Sequence, residues 1–174
     1  MAHSSTRFAT GVSRRLDPAR LPDHATRLYR AAYALAGSGA EADDLVQETF
    51  ARVLARPRRV RRGGERAYLM SVLRNTWIDF QRARSARPDP VGGEALDWVL
   101  DAESDPGGLA QDVRLAYEGM CELSEPQREA IVAVDVLGLA YKEAARALRI
   151  RQGTLMSRLA RARGRVAQYM EGTE

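Results

Sequence analysis

The sequence predicts an all-α protein built as two small helical domains joined by a flexible acidic linker. Three observations lead there. Apolar residues recur at helical spacing in two separate blocks, no stretch alternates as a strand would, and a Pro/Gly-punctuated acidic segment divides the blocks. The 174 residues with 45% hydrophobic content suffice for one ordinary domain or two small ones.

Residues 1–20 (MAHSSTRFATGVSRRLDPAR) are small, polar and basic without a sustained period, which predicts a flexible tail. The first domain then occupies 21–87. From Leu21 to about Ala55 the apolar spacing is helical, broken by GSGAEAD at 37–43, whose glycines and acids suit the end of one helix and the start of the next. In the second helix, projection puts Leu45, Val46, Thr49, Phe50 and Val53 on one side. Asp44, Gln47 and Glu48 fall on the other, with Asp43 flanking.

The stretch RPRRVRRGG at 56–64 carries a proline, two glycines and five arginines, and reads as a loop. A third helix follows from about Glu65 to Ala86. Its stripe of Leu69, Val72, Leu73, Thr76 and Phe80 is predicted to face the core, and Trp77 stands at the stripe's edge between packing and partner contact. Asn75, Asp79 and Arg82 cluster on another face, where Asp79 and Arg82 can pair.

Residues 88–112 hold seven acids and no arginine or lysine, which makes them the acidic linker. The second domain is predicted over 113–170. Ser124 and Gln127 fit a capping box opening the helix QREAIVAVDVL, with Pro126 tolerated in its first turn and Gly138 closing it. YKEAARAL, a short RIRQ connection and GTLMSRLARARGRVAQYM then outline a helix-turn-helix. In its last helix Leu155, Leu159, Ala162 and Val166 form the apolar stripe. The opposite face presents Thr154, Ser157, Arg158, Arg161 and Arg165 without an acid, as a helix that reads base edges and phosphates requires.

Of 27 basic residues only Lys142 is a lysine, so the net charge of +4 is carried almost wholly by arginine, whose fork matches phosphates. One cysteine and two histidines near the N-terminus leave no metal or disulfide framework, and no cofactor is expected. No catalytic motif is visible, so an enzyme is not expected. Without an apolar run long enough to span a bilayer or serve as a signal peptide, membrane insertion is not expected and a cytoplasmic location is.

Together these stretches resemble a known family. LSEPQREAIVAVDVLGLAYKEAARALRIRQGTLMSRLARAR is similar to region 4 of the extracytoplasmic-function (ECF) sigma factors, group 4 of the sigma-70 family. AEADDLVQETFARVL with RAYLMSVLRNTWIDFQRAR is similar to their region 2. The resemblance implies a dissociable subunit of bacterial RNA polymerase that selects promoters and has no catalytic site of its own.

It further implies that Asp43, Asp44, Gln47 and Glu48 dock on the clamp helices of the largest subunit of core RNA polymerase. Arg58, Arg59, Arg61, Arg62, Arg74, Asn75, Asp79, Arg82 and Arg84 would recognise the minus-10 element and hold its opened single strand. Gln152, Thr154, Ser157, Arg158, Arg161 and Arg165 would read the minus-35 duplex, while region 4 grips the flap of the second-largest subunit. The linker's charge suits a basic channel. An anti-sigma factor is a partner common in the family.

Three positions depart from the family pattern: Arg149 where the turn often has glycine, Met156 where lysine is common, and Trp77 where a smaller aliphatic is frequent. The rival reading is a conventional helix-turn-helix regulator that binds duplex DNA without core polymerase. It calls for a sensing domain, which the arginine-rich first half does not resemble.

Overall fold

A computed structural model describes residues 13–85 and 109–172 of the chain. Seven α-helices are found among them: α1 (Ala25–Ala36), α2 (Gly39–Ala55), α3 (Glu65–Ser85), α4 (Leu109–Cys121), α5 (Glu125–Ile131), α6 (Tyr141–Ala147) and α7 (Gln152–Glu171). A π-helical turn, Val132–Val136, extends α5. Two three-residue strands, β1 (Ser13–Arg15) and β2 (Arg59–Arg61), pair antiparallel.

In the first half α1, α2 and α3 pack on one another. Leu28, Leu35, Leu45, Leu69, Met70 and Leu73 are fully buried between them. Each contributes about 1.5–3 kcal/mol relative to an exposed side chain. Gly37 ends α1 at φ +77°, a left-handed conformation that glycine adopts without a Cβ clash. Ser38 then caps α2 by accepting from the Glu41 backbone N–H at 3.5 Å, so GSGAEAD marks both helix ends as its residues suggest.

In the second half α4 and α5 close on α7 around Leu155, Leu159, Ala162 and Val166, all buried. The turn between α6 and α7 is a Schellman motif. The Ile150 N–H donates to Ala145 O at 3.0 Å and the Arg149 N–H to Arg146 O at 3.2 Å. Arg149 occupies the left-handed position at φ +56°, where a non-glycine residue costs about 1–2 kcal/mol.

The two halves share one continuous core. Tyr33 of α1 meets Tyr117 of α4 edge-on with ring centroids 6.0 Å apart. Arg128 reaches from α5 into the first half: Nη1 donates to Leu35 O at 2.9 Å, while Nε donates to Met120 O at 2.9 Å and Nη2 to Leu123 O at 3.0 Å and to Cys121 O. One guanidinium therefore satisfies carbonyls at the ends of α1 and α4, groups that would otherwise lack partners. Arg66 of α3 donates to Leu137 O at 3.0 Å, beside Gly138, where a Cβ would lie 3.1 Å from its Nη1.

Three expectations need correction and one open question closes. The tail 1–20 is ordered at its end, because β1 pairs with β2 and Leu16 is buried, so the predicted arginine loop contains a strand. The linker span 88–112 gives its last four residues to α4, which starts at Leu109; residues 88–108 lie outside the described residues, as do 1–12. Ser124 precedes α5 without a side-chain cap, and its backbone carbonyl accepts from the Gln127 and Arg128 N–H groups instead. Trp77, which its place at the stripe's edge left between packing and partner contact, is a packing residue, 4% exposed and stacked on Phe80 at 6.2 Å.

Candidate nucleic-acid interface

α2 turns Leu45, Thr49 and Val53 inward, which leaves Asp43, Asp44, Gln47 and Glu48 exposed on the opposite side. Asp44, Gln47 and Glu48 border a groove of about 660 Å³ that runs between α2 and α3 and also touches Thr76, Asp79 and Phe80; Asp43 lies outside its lining. The acidic face is not composed of free carboxylates alone. Arg52 donates from Nε to Glu48 Oε1 at 2.7 Å and from Nη1 to Asp79 Oδ2 at 2.7 Å. These two hydrogen bonds hold its guanidinium firmly in the charged form.

On α3, Asn75, Asp79 and Arg82 are all exposed, as the projection requires. Asp79 is nearer to Arg52 than to Arg82, whose Nη1 lies 3.9 Å from Asp79 Oδ1. Arg84 pairs with Glu41 at 3.2 Å. Burial raises the Glu41 carboxyl above the ordinary range, and Arg84 opposes that shift. Arg74 is directed away from Asn75, into an ion pair with Glu129 of α5 at 2.6 Å.

β2 alternates Arg59 out, Val60 in and Arg61 out, and Arg58 and Arg62 flank it, all four arginines exposed. Arg59 donates to Ser13 O at 3.3 Å, so β1 supports the basic segment from behind. Gly63 at φ +80° turns the chain toward α3.

On α7, Gln152, Thr154, Ser157, Arg161 and Arg165 are exposed and Arg158 is half-buried, with no acid in the first turn. Ser157 Oγ donates to Thr154 O at 3.0 Å, and Arg161 Nε donates to Ser157 O at 3.2 Å, which lays the Arg161 side chain along this face. Arg163, on another side, grips Asp135 with bonds of 2.9 and 2.6 Å and ties α7 to the π-helical turn.

The folded chain thus groups the candidates into an acidic groove wall, a polar face on α3, an arginine strand and a basic face on α7. Sequence spacing missed Arg52, Arg66, Arg128 and Glu129. Nothing local to these residues distinguishes them, since each meets a partner on another element.

Comparison with known proteins decides the family. The sigma-70 region 2 model matches residues 22–87 and the sigma-70 region 4 model matches residues 114–166. The chain is 33% identical over 150 residues to the ECF RNA polymerase sigma factor EcfG of Rhodopseudomonas palustris, which covers 82% of this chain and 80% of that one.

The chain belongs to the ECF RNA polymerase sigma factors.

It is also 33% identical over 150 residues to the sigma factor SigE of Mycolicibacterium smegmatis, and 35% identical over 123 residues to the probable sigma-C factor of Mycobacterium bovis. These matches cover 84% and 70% of this chain but span only 58% and 66% of those relatives' lengths.

Among solved structures, the sigma factor RpoE bound to the anti-sigma factor NepR from Bartonella quintana matches with a TM-score of 0.63 at 25% identity. That match covers 87% of this chain and 91% of the other. CnrH, solved with the cytosolic domain of CnrY, shares the fold with a TM-score of 0.59 at 21% identity, covering 88% and 86%. In this ECF sigma factor the acidic groove and the α3 face lie in the region 2 match, and α7 in the region 4 match. Among the described residues no helix is long and apolar enough to cross a membrane, and no group of acids, histidines or cysteines is placed to hold a metal ion.

Proposed function

We propose that the chain is an alternative sigma factor that binds core RNA polymerase, recognises minus-35 and minus-10 promoter elements and promotes strand opening. The observation that carries this reading is the pairing, in one chain, of both sigma regions in order with separate acidic and basic faces. Asp43, Asp44, Gln47 and Glu48 form a polar face suited to a charged partner helix and unsuited to DNA, which the three carboxylates would repel. They dock on the clamp helices of core polymerase.

α7 enters the major groove of the minus-35 duplex. Gln152, Thr154 and Ser157 allow close approach, and Arg158, Arg161 and Arg165 reach base edges and phosphates. Asn75 offers a donor and an acceptor to an unstacked minus-10 base, with Asp79 and Arg82 beside it, while Arg58, Arg59, Arg61, Arg62 and Arg84 follow the strand's phosphates. Opening needs no nucleotide hydrolysis, because selective binding of the opened strand offsets an unstacking cost of a few kcal/mol per base.

Arg74 and Arg84 each require a change of partner first, since they are engaged with Glu129 and Glu41. The same holds for the packing of the two halves, which must part if α7 and α3 are to reach separate promoter elements. An anti-sigma protein that grips the packed form is a fitting partner; the structural relative RpoE is solved in complex with the anti-sigma factor NepR.

Reconstitution with core RNA polymerase and a promoter library tests the proposal. The chain should co-elute with core enzyme and support initiation from one promoter class. Failure on both counts would end the sigma reading, and tight duplex binding without core enzyme would favour a conventional regulator.

A further inference from the structure

The packing of the two halves creates a cationic cleft of about 600 Å³. Arg58, Arg59, Arg61 and Arg62 approach it from β2 and its flanks, and Arg146 and Arg149 from α6 and its C-terminal turn. All six are exposed, and none makes an ion pair within the described residues. The one acid on the wall, Glu143, directs Oε2 to the Ala140 N–H at 3.3 Å, where it caps α6. Like charges gathered around one space repel one another, and an anion seated among them would relieve that repulsion.

Arg149 supplies an independent observation. It sits at φ +56° in the Schellman position that glycine fills without strain, yet it makes no ion pair among the described residues. Strain retained at an exposed position suggests a task for the guanidinium that the folded chain itself does not use.

The geometry points to a binding site for a short linear polyphosphate, bridging the arginine strand of the first half and the helix-turn-helix of the second. Guanidinium forks match phosphate oxygens in pairs, and groups on two opposed walls suit a run of phosphates better than a single one. Tyr68 is the one aromatic side chain on the wall. The cleft therefore lacks the succession of stacking platforms that a single-stranded nucleic acid uses. A bound polyphosphate would hold the two halves in the packed form and would compete with promoter DNA for the arginine strand.

Calorimetric titration of the full chain with inorganic tripolyphosphate, with orthophosphate at matched ionic strength as the second arm, tests the site. Neither core polymerase nor promoter is present, so the result is independent of the sigma reading. Tripolyphosphate should saturate one site per chain, and Arg149→Gly and Arg146→Ala should each weaken it about tenfold or more. Arg27→Ala, at an exposed position of α1 outside the cleft wall, should leave it unchanged.

Arg149→Gly relieves the left-handed strain, so its melting temperature should not fall and misfolding is separable from lost binding. The proposal is overturned if tripolyphosphate does not bind, if its affinity ignores both cleft substitutions, if Arg27→Ala weakens it equally, or if orthophosphate binds as tightly. Oligothymidylate that binds through Arg146 and Arg149 where tripolyphosphate does not would make the cleft a strand path instead.

Discussion

Arg52 joins α2 to α3 by donating from Nη1 to Asp79 Oδ2 at 2.7 Å while its Nε holds Glu48 at 2.7 Å. A residue of the proposed docking face and a residue of the proposed strand-reading face thus share one guanidinium. The Arg52 and Asp79 side chains are 38% and 52% exposed, so water screens the pair and its net contribution to folding is below about 1 kcal/mol.

Arg52→Ala should therefore change the unfolding free energy by less than about 1 kcal/mol in a urea melt, and by less still at high salt. Its functional effect should be larger. Without Arg52, Asp79 keeps only the distant Arg82, and its less compensated carboxylate repels an opened minus-10 strand. Anisotropy with a single-stranded minus-10 oligonucleotide should show weaker binding by Arg52→Ala and recovery when Asp79→Asn is added. Equal weakening in the double variant would mean that Arg52 touches the strand itself.

Glu129 makes a separate test, because two effects oppose each other there. The side chain is 4% exposed and pairs with Arg74 at 2.6 Å. Burial pushes the carboxyl above its ordinary range, and the attraction of Arg74 only partly reverses this. Burial is the larger of the two effects, so the folded carboxyl titrates above its ordinary value. A group whose folded pKa is raised gives its full stability below the unfolded pKa and loses it as pH rises through the folded value.

Glu129→Gln, neutral at every pH, should then stay within about 1 kcal/mol of the parent near pH 7, because the Arg74 side chain can turn to water. On acidification toward the ordinary glutamate range the parent should gain on the variant. A loss of about 3 kcal/mol or more at pH 7 would instead mean that Arg74 cannot turn to water and is left buried without its partner.

The helices were legible because burial imposes a 3.6-residue period. Leu155, Leu159, Ala162 and Val166 are all buried, and Gly37 and Ser38 end one helix and begin the next inside GSGAEAD. The exposed faces of α2, α3 and α7 follow from the same period, since what is not in the stripe must face outward. What spacing could not show is who meets whom across the chain. Arg128 reaches Leu35 O over 93 residues and Arg66 reaches Leu137 O over 71. β1 is only three residues long, too short for alternation to register. Trp77 stood at the edge of its stripe, and the neighbouring Phe80 ring decided its place by stacking.

Cys121 can report on the separation of the halves. It lies at the end of α4 opposite Gly37, where a Cβ on Gly37 would come within 3.3 Å of its sulfur. Burial raises the thiol's pKa above its ordinary value, with Arg128 opposing, so little reactive thiolate is present at neutral pH. A disulfide reagent should modify Cys121 slowly in the free chain and faster as pH rises. If core polymerase parts the two halves, modification should accelerate on addition of core enzyme. An unchanged rate in a complex shown to have formed would mean that the contact between α1 and α4 persists there.

The last prediction separates the two proposed DNA faces. Arg161 is exposed on α7 and is aligned by its bond to Ser157 O at 3.2 Å, while the helix is anchored from its other side by Leu155 and Leu159. Arg161→Ala should leave thermal stability unchanged and weaken binding to a minus-35 duplex. If Arg161 contacts a phosphate, the slope of log affinity against log salt should become shallower by about 0.9; if it reads a base, specificity should relax with less change in slope. Asn75→Ala should do neither, and should impair strand opening or minus-10 choice with duplex affinity intact. Leu155→Ala is the contrasting control, since a cavity under α7 should cost about 2–5 kcal/mol and abolish duplex binding through unfolding. Loss of core association in either surface variant would contradict the division of labour between α2, α3 and α7.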